Sequence, residues 1–358
     1  MISRVGVVGA GVMGGGIAQL CAQAGFSVKL HDPVPAALEA FPGKLRKALD
    51  AATLRGRLTT AQADRAFMNL TLAPRLEDLD GADLVIEAAP EALALKQELF
   101  RRLSVVCPDA ILATNTSSLS VAAIMKDATL PVRTLGVHFF NPPVAMKLVE
   151  LVRWKETGQE AFKEAWDFVL MGLRRTPVDV KDVPGFIVNR VMRPYYLTGQ
   201  RLATAGTGFA GVDEACRAAG GVPMGPFELM DLIGLDTNFA ITTVIYEALG
   251  RPARFAPPAL QKALVERGAV GRKSGRGFYL YADGKPAGEN PDALALLPPG
   301  AAPAPAALWA AVRDELVAEA ALVASEGTAG PGDIDTAIKL AMNFPKGPFE
   351  WRRENTAA

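Results

Sequence analysis

The stretch VGVVGAGVMGGGIAQL, Val5 to Leu20, decides the fold. It opens as an apolar run and then gives up side chains where a helix should begin: six of its sixteen residues are glycine. Glycine inside a helix costs roughly 0.5–1 kcal/mol relative to alanine, so the bare backbone must serve another need. RVGVVGAG has the pattern of a buried strand breaking into a glycine turn, and GGGIAQLCAQAG continues as a helix closed by Gly25. Gly9, Gly11 and Gly14 stand at the junction as G-x-G-x-x-G. In that order they supply a tight turn, a close backbone approach to a pyrophosphate, and close packing of helix on strand. The free N–H groups of the first helical turn, Val12 and Met13 among them, would face the phosphates together with the positive end of the dipole. A second strand, FSVKLHD, ends in Asp32. That carboxylate lies about 20 residues past the loop, where it can accept hydrogen bonds from an adenosine ribose. It would repel a 2′-phosphate, and no arginine follows it, so the spacing indicates NAD rather than NADP.

Working outward, strands and helices keep alternating. LTLA, ADLVIEA (82–88), AILATN (110–115), RTLGVHF (133–139) and KLVELV (147–152) have the look of short buried strands, with helical stretches such as EALALKQELFRRLSVV between many of them. That rhythm predicts an α/β, Rossmann-like doubly wound NAD-binding domain, mostly parallel with antiparallel additions at the far edge. Ligands on such sheets sit at the carboxyl ends of strands, which singles out Glu87, Glu91, Asn115 to Ser118, and His138. Near VKDVPGFIVNR the character changes to helical, so the first domain is expected over 1–182 and an all-α domain over 183–282. Residues 283–306 are rich in Pro, Ala and Gly and have the composition of a linker.

Past that stretch a repeat emerges. GVDEACRAAGGVPMGPFE (211–228) aligns without a gap to DIDTAIKLAMNFPKGPFE (333–350), sharing the aspartate, a proline and GPFE. Residues 307–358 are therefore expected to be a partial second copy of the helical domain. Their first helix carries an apolar stripe, Leu308, Ala311, Val312, Leu316, Ala320 and Val323, which must be buried somewhere. The expectation is that it docks on the first copy, against the helices flanking MGPFELMDL.

Composition removes other classes. Lys plus Arg and Asp plus Glu number 38 each in 358 residues, a balance that points to neither nucleic acid nor a membrane surface as partner. No apolar run reaches the length of a membrane span, and no signal peptide is recognised at the start. Cys21, Cys107 and Cys216 have no metal-ligand spacing and suit buried thiols in a reducing cytoplasm. No metal cluster is expected.

The chain has two histidines. His31 ends the second strand beside Asp32. His138 ends a later one, and Glu150 interrupts the apolar strand that follows; a return through Asn141-Pro142-Pro143 would bring the carboxylate beside the imidazole. A buried acid paired to histidine sets the tautomer and raises its basicity.

Taken together, GAGVMGGGIAQ, EAAPE with Lys96, NTSSL, HFFNPP with Glu150, VPGFIVNR, MGPFELMDLIGLD and KSGRGFY resemble the L-3-hydroxyacyl-CoA dehydrogenase family, of the bacterial 3-hydroxybutyryl-CoA dehydrogenase type. The resemblance implies oxidation of a 3-hydroxyacyl-CoA by NAD, in fatty-acid β-oxidation or butanoate-type metabolism. It implies His138 as base and Glu150 as its partner, Ser117 on the substrate hydroxyl or carbonyl, and Asn189 holding bound substrate. Asn115 and Ser117 of NTSSL, Glu91, Lys96, Asn141 and Lys273 match cofactor-contacting positions, and Asn141 also borders the substrate. Where the family often places a serine and a lysine on coenzyme A, this chain has Ala48 and Arg55; Arg55 can still bind a phosphate. Alternatives are a 3-hydroxyadipyl-CoA dehydrogenase of aromatic degradation and a crystallin-like NADH-binding protein without turnover. The two-domain members usually dimerise through their helical domains, which leaves a homodimer, or a monomer if the C-terminal copy covers that surface.

Overall fold

A computed structural model describes residues 1–298 and 304–357. They form two compact units, Met1–Val183 and Pro184–Ala358.

The first unit runs β1 (Arg4–Val8), α1 (Val12–Gln23), β2 (Ser27–His31), α2 (Pro35–Glu39), α3 (Phe41–Leu54), α4 (Thr60–Met68) and β3 (Leu70–Leu72). It continues with β4 (Leu84–Glu87), α5 (Leu93–Val106), β5 (Ile111–Thr114), α6 (Val121–Met125), β6 (Thr134–Phe139), β7 (Leu148–Arg153), α7 (Gln159–Asp167) and β8 (Thr176–Lys181). Its strands make one eight-stranded sheet in the order β3-β2-β1-β4-β5-β6-β7-β8. Neighbours pair in parallel except β6 and β7, which are antiparallel. Every residue of β4, β5 and β6 is buried, as a sheet covered on both faces by crossover helices requires. The strand order reverses between β1 and β4, and the crevice at such a switch point is where doubly wound sheets bind ligands.

The predicted strands are present, most of them trimmed at their ends, with β7 shifted one residue onward to Leu148–Arg153. β8 was not anticipated: TPVDVK mixes a proline with charged residues and has no clean apolar pattern. An edge strand tolerates this, because proline loses no ladder bond there and one side meets solvent. Asp182, just past β8, accepts from the N–H groups of Val121 and Ala122 and from the Ser120 hydroxyl, so it closes the start of α6.

The second unit comprises α8 (Val188–Val191), α9 (Arg193–Leu202), α10 (Phe209–Gly220), α11 (Pro226–Ile233), α12 (Leu235–Ala248) and α13 (Ala259–Glu266). A hairpin of β9 (Tyr279–Ala282) and β10 (Lys285–Glu289) follows, then α14 (Pro291–Leu294), α15 (Pro305–Ser325), α16 (Pro331–Met342) and α17 (Pro348–Ala357). The stretch 283–306, expected as a linker, thus contains β10, α14 and the start of α15; residues 299–303 lie outside the described residues. Composition hid this structure because β10 is almost wholly exposed and carries no apolar alternation. What anchors it is Asn290, buried, which caps α14 through the Asp292 N–H and donates to the Gly277 carbonyl at 2.7 Å.

The repeat is visible in three dimensions. Asp213 on α10 accepts from the Phe227 N–H at 2.9 Å, and Asp335 on α16 accepts from the Phe349 N–H at 2.8 Å. Each aspartate presses against the glycine of GPFE: a Cβ on Gly225 or Gly347 would collide with it. Both helices end in a left-handed residue, Gly221 and Asn343. The second copy packs through α15 along α9 and α10, with α17 against α15. Of the apolar stripe, Leu308, Val312, Leu316, Ala320 and Val323 are buried and Ala311 is half-buried. Full burial of each large member is worth ~1.5–3 kcal/mol. Among the described residues no helix is long and apolar enough to cross a membrane.

Candidate active site

The glycine turn sits at the carboxyl end of β1. Gly9 has φ +105°, and a Cβ there would lie 2.7 Å from the Ala88 carbonyl oxygen; a Cβ on Gly14 would lie 1.9 Å from the Gly9 oxygen. These two glycines answer to packing inside the protein. Gly11 does not. Its φ of −72° suits any residue, and a Cβ there meets nothing within 4 Å. The open space before it faces the start of α1, where no side chain caps the helix and no acid stands in the first turn. Val12 is left 75% exposed there. An uncapped helix N-terminus behind a bare, open approach fits an anionic pyrophosphate. Asp32 closes the same turn: Oδ2 accepts from the Ala10 N–H at 2.7 Å and Oδ1 from the Val34 N–H at 2.9 Å. Gly16 abuts Pro143, which brings the Asn141-Pro142-Pro143 loop against α1.

The next strand ends carry a charged network. Glu87 at the end of β4 is fully buried and bonds Lys96 Nζ at 2.6 Å, the Thr114 hydroxyl at 2.7 Å and the Ala89 N–H at 2.7 Å. Lys96, expected at the cofactor, is only 1% exposed; its ammonium faces Glu87, the Ala89 carbonyl and, at 3.4 Å, Glu91. Glu91 Oε1 in turn accepts from the Thr116 hydroxyl, the Ser117 and Ser118 N–H groups, and the Ser118 hydroxyl. Burial opposes its ionisation, but the Thr116 and Ser118 hydroxyls and the Lys96 charge outweigh burial and hold its carboxyl below the usual range. Lys96 therefore supports Glu91, and Glu91 shapes the loop that carries Ser117. Asn115 has a similar duty: its Oδ1 accepts from the Phe139 N–H at 2.9 Å, linking β5 to the end of β6.

His138 and Glu150 are register partners across the antiparallel β6–β7 pair. The hairpin return places His138 Nδ1 2.6 Å from Glu150 Oε2, both side chains buried, with Glu150 at 0% exposure. A carboxylate can only accept, so the proton of a neutral imidazole belongs on Nδ1 and the basic lone pair on Nε2. Arg55 lies exposed just past α3, and Ala48 is half-buried within it.

In the second unit Asn189 lies in α8. Lys273, expected at the cofactor, pairs with Asp236 at 2.7 Å. Reading the sequence singled out Thr116 within Asn115 to Ser118 but missed Thr114, one residue before that run, and it missed Arg190 and Arg193. The signal for the arginines was two cations in an apolar helical run, FIVNRVMRPYY. Among the described residues no cluster of His, Cys, Asp or Glu could hold a metal ion.

The family model for the NAD-binding domain of 3-hydroxyacyl-CoA dehydrogenase matches residues 4–183, and that for its C-terminal domain matches 185–281. The chain belongs to the 3-hydroxyacyl-CoA dehydrogenase family. It is an oxidoreductase with NAD as cofactor. A 3-hydroxybutyryl-CoA dehydrogenase of Mycobacterium tuberculosis is 42% identical over 283 residues, 78% of this chain and 99% of that one. A 3-hydroxyadipyl-CoA dehydrogenase of Escherichia coli is 41% identical over 280 residues, 78% of this chain and 59% of the relative. The crystal structure of an E. coli 3-hydroxybutyryl-CoA dehydrogenase superposes with a TM-score of 0.88 at 32% identity, covering 99% of this chain and 92% of that one. The C-terminal helices of this dehydrogenase thus have a counterpart in the E. coli structure, while the mycobacterial relative is used up over 78% of this chain.

Proposed function

We propose that this dehydrogenase oxidises short-chain (S)-3-hydroxyacyl-CoA thioesters, such as 3-hydroxybutyryl-CoA, reversibly to the 3-oxo thioesters, with His138 as base. The observation that carries the reading is the buried contact of 2.6 Å between His138 Nδ1 and Glu150. Bound NAD supplies the acceptor for the hydride that leaves C3. The protein must remove the hydroxyl proton, because an alcohol does not ionise by itself near neutral pH. His138 Nε2 takes that proton, and Glu150, hydrogen-bonded to Nδ1–H, stabilises the imidazolium that forms. In the reducing direction His138 returns the proton. Ser117, held by the Glu91 loop, and Asn189 orient the substrate oxygens, and Arg55 offers a cation to the coenzyme A phosphates. Gly11, Val12 and Met13 face the pyrophosphate on a turn that Gly9 and Gly14 shape by close packing, Asp32 meets the adenosine ribose, and Glu91, Asn115 and Asn141 border the nicotinamide end.

The names of the relatives favour a four-carbon substrate, and the 3-hydroxyadipyl-CoA relative favours a dicarboxylic acyl chain as second reading. Three buried free cysteines suit a reducing cytoplasm, and the C-terminal copy lying on α9 and α10 favours a monomer. The test is NADH oxidation with a ladder of 3-oxoacyl-CoA thioesters that includes a dicarboxylic one. His138→Gln should lower kcat roughly 10²–10⁴-fold while leaving NADH affinity unchanged; Glu150→Gln should cost less. Wild-type turnover by the His138 variant would overturn the assignment.

A further inference from the structure

Asn189 rides on α8, a single turn of helix that cannot hold its own shape in water. The chain enters it through Gly185, at φ +80°, and Phe186, a buried non-glycine residue at φ +49°. A bulky side chain in the left-handed region persists only where its surroundings over-determine it. The turn that follows is tied back to Gly185 by the Arg190 N–H, which donates to the Gly185 carbonyl at 3.1 Å, and two buried arginine side chains pin it. Arg193 donates from Nε to the Asn189 carbonyl at 2.7 Å and from Nη1 to the Thr242 hydroxyl on α12 at 3.0 Å. Arg190 faces the other way, to α15. Its Nε donates to Glu319 Oε1 at 2.8 Å, while Nη1 and Nη2 grip both oxygens of Glu326 at 2.6 and 2.9 Å. Glu319 also accepts from Arg254 Nε at 2.7 Å. Arg190 and Glu319 are 2% and 1% exposed, whereas Glu326 is 47% exposed.

We propose that Glu319 and Glu326 are positioning residues for the reaction: from the C-terminal copy they fix Arg190, and through it the turn that presents Asn189. This rests on the reading of Asn189 as a substrate-holding residue. Stability alone is a poor reason for such a cluster, since a buried ion pair often does no better than apolar residues of the same volume. What a bidentate guanidinium–carboxylate contact adds is orientation. The partners lie 129 and 136 residues beyond Arg190, past the end of the matched C-terminal family domain at residue 281. The second copy therefore supplies this chain with a clamp on the turn that carries Asn189.

The test uses the full chain and acetoacetyl-CoA reduction. Glu319→Gln keeps the shape and removes the charge; it should lower kcat/KM for acetoacetyl-CoA by roughly 10–100-fold, with NADH affinity, read by fluorescence titration, within about twofold of wild type. A purely structural role would lower the melting temperature without changing the kinetics of the folded enzyme. In an Asn189→Ala background the Glu319→Gln loss should shrink to under about twofold, because both act through one residue. Equal losses in both backgrounds, or wild-type kinetics in folded Glu319→Gln, overturn the proposal. If Asn189→Ala costs activity and Glu319→Gln does not, the clamp fails and the substrate reading stands. If Asn189→Ala alone costs nothing, the reading of Asn189 falls and takes the clamp with it. Should Glu319→Gln not fold, Glu326→Gln, on the half-exposed side, carries the same comparison with an expected loss of about threefold.

Discussion

Alanine at Gly11 and alanine at Gly14 should produce opposite failures. At Gly11 the backbone suits any residue and the new methyl touches no protein atom. Such a Gly→Ala change usually stabilises by ~0.4–1 kcal/mol, through the entropy of the unfolded chain. Its methyl nevertheless projects into the approach to the α1 N-terminus, so a phosphate would be pushed back from the N–H groups. Losing one charge-assisted hydrogen bond costs ~1.5–3 kcal/mol, which weakens NADH binding by about 10–150-fold. At Gly14 the methyl carbon would lie 1.9 Å from the Gly9 oxygen, where such atoms normally sit about 3.3–3.6 Å apart. The turn must open by more than about an ångström, and overpacking on that scale should cost ~3 kcal/mol or more. Thermal unfolding of the two variants, with NADH fluorescence titration on each, reads both effects. Gly11→Ala binding NADH as tightly as wild type would refute the argument, and so would Gly14→Ala melting like wild type.

Asp32→Ala should combine both effects on a smaller scale. It strands the Ala10 N–H as well as removing the ribose acceptor, so NADH affinity should fall by ~1–3 kcal/mol and preference over NADPH should narrow; a wild-type enzyme already using NADPH as well as NADH would contradict this. A pH effect is expected in the helical unit, where burial pushes the carboxyls of Asp213 and Asp231 up to about 7 and about 6. Their values in the unfolded chain are near 3.9, so the folded state holds protons that the unfolded state releases. Stability from these groups is full below about pH 4 and is lost as pH rises through about 7, by up to ~1.4 kcal/mol per pH unit per group. Melting temperatures across that range should fall more steeply in wild type than in Asp213→Asn, and an identical slope in the two would refute the assignment.

Much of the first unit was legible because its signals are local. A strand, a glycine turn and a helix fit within Val5 to Leu20, and Asp32 ends the very next strand. The adjacency of His138 and Glu150 was also legible, since a strand, a proline turn and a second strand leave few ways for the chain to return. Local pattern failed where the signal is short or absent: β8 buries Val178 and Val180 but mixes them with a proline and two charges, β10 is exposed without apolar alternation, and α14 depends on one buried asparagine rather than on an apolar face.

By itself, then, the sequence determined the dinucleotide turn, the order of strands around it, the duplicated helical motif and which polar residues stand at strand ends. Tertiary structure decided what those residues touch. Lys96 has the residue type of a ligand contact, yet folding seals it beneath Glu87 and Glu91. Arg190 reads as one cation in an apolar helix until α15, more than a hundred residues later, brings two carboxylates to it. Periodicity reports only which face of an element is buried. The partner waiting on that face is chosen by packing between segments remote in sequence, and a buried charge is tolerated only where that packing supplies its counter-charge.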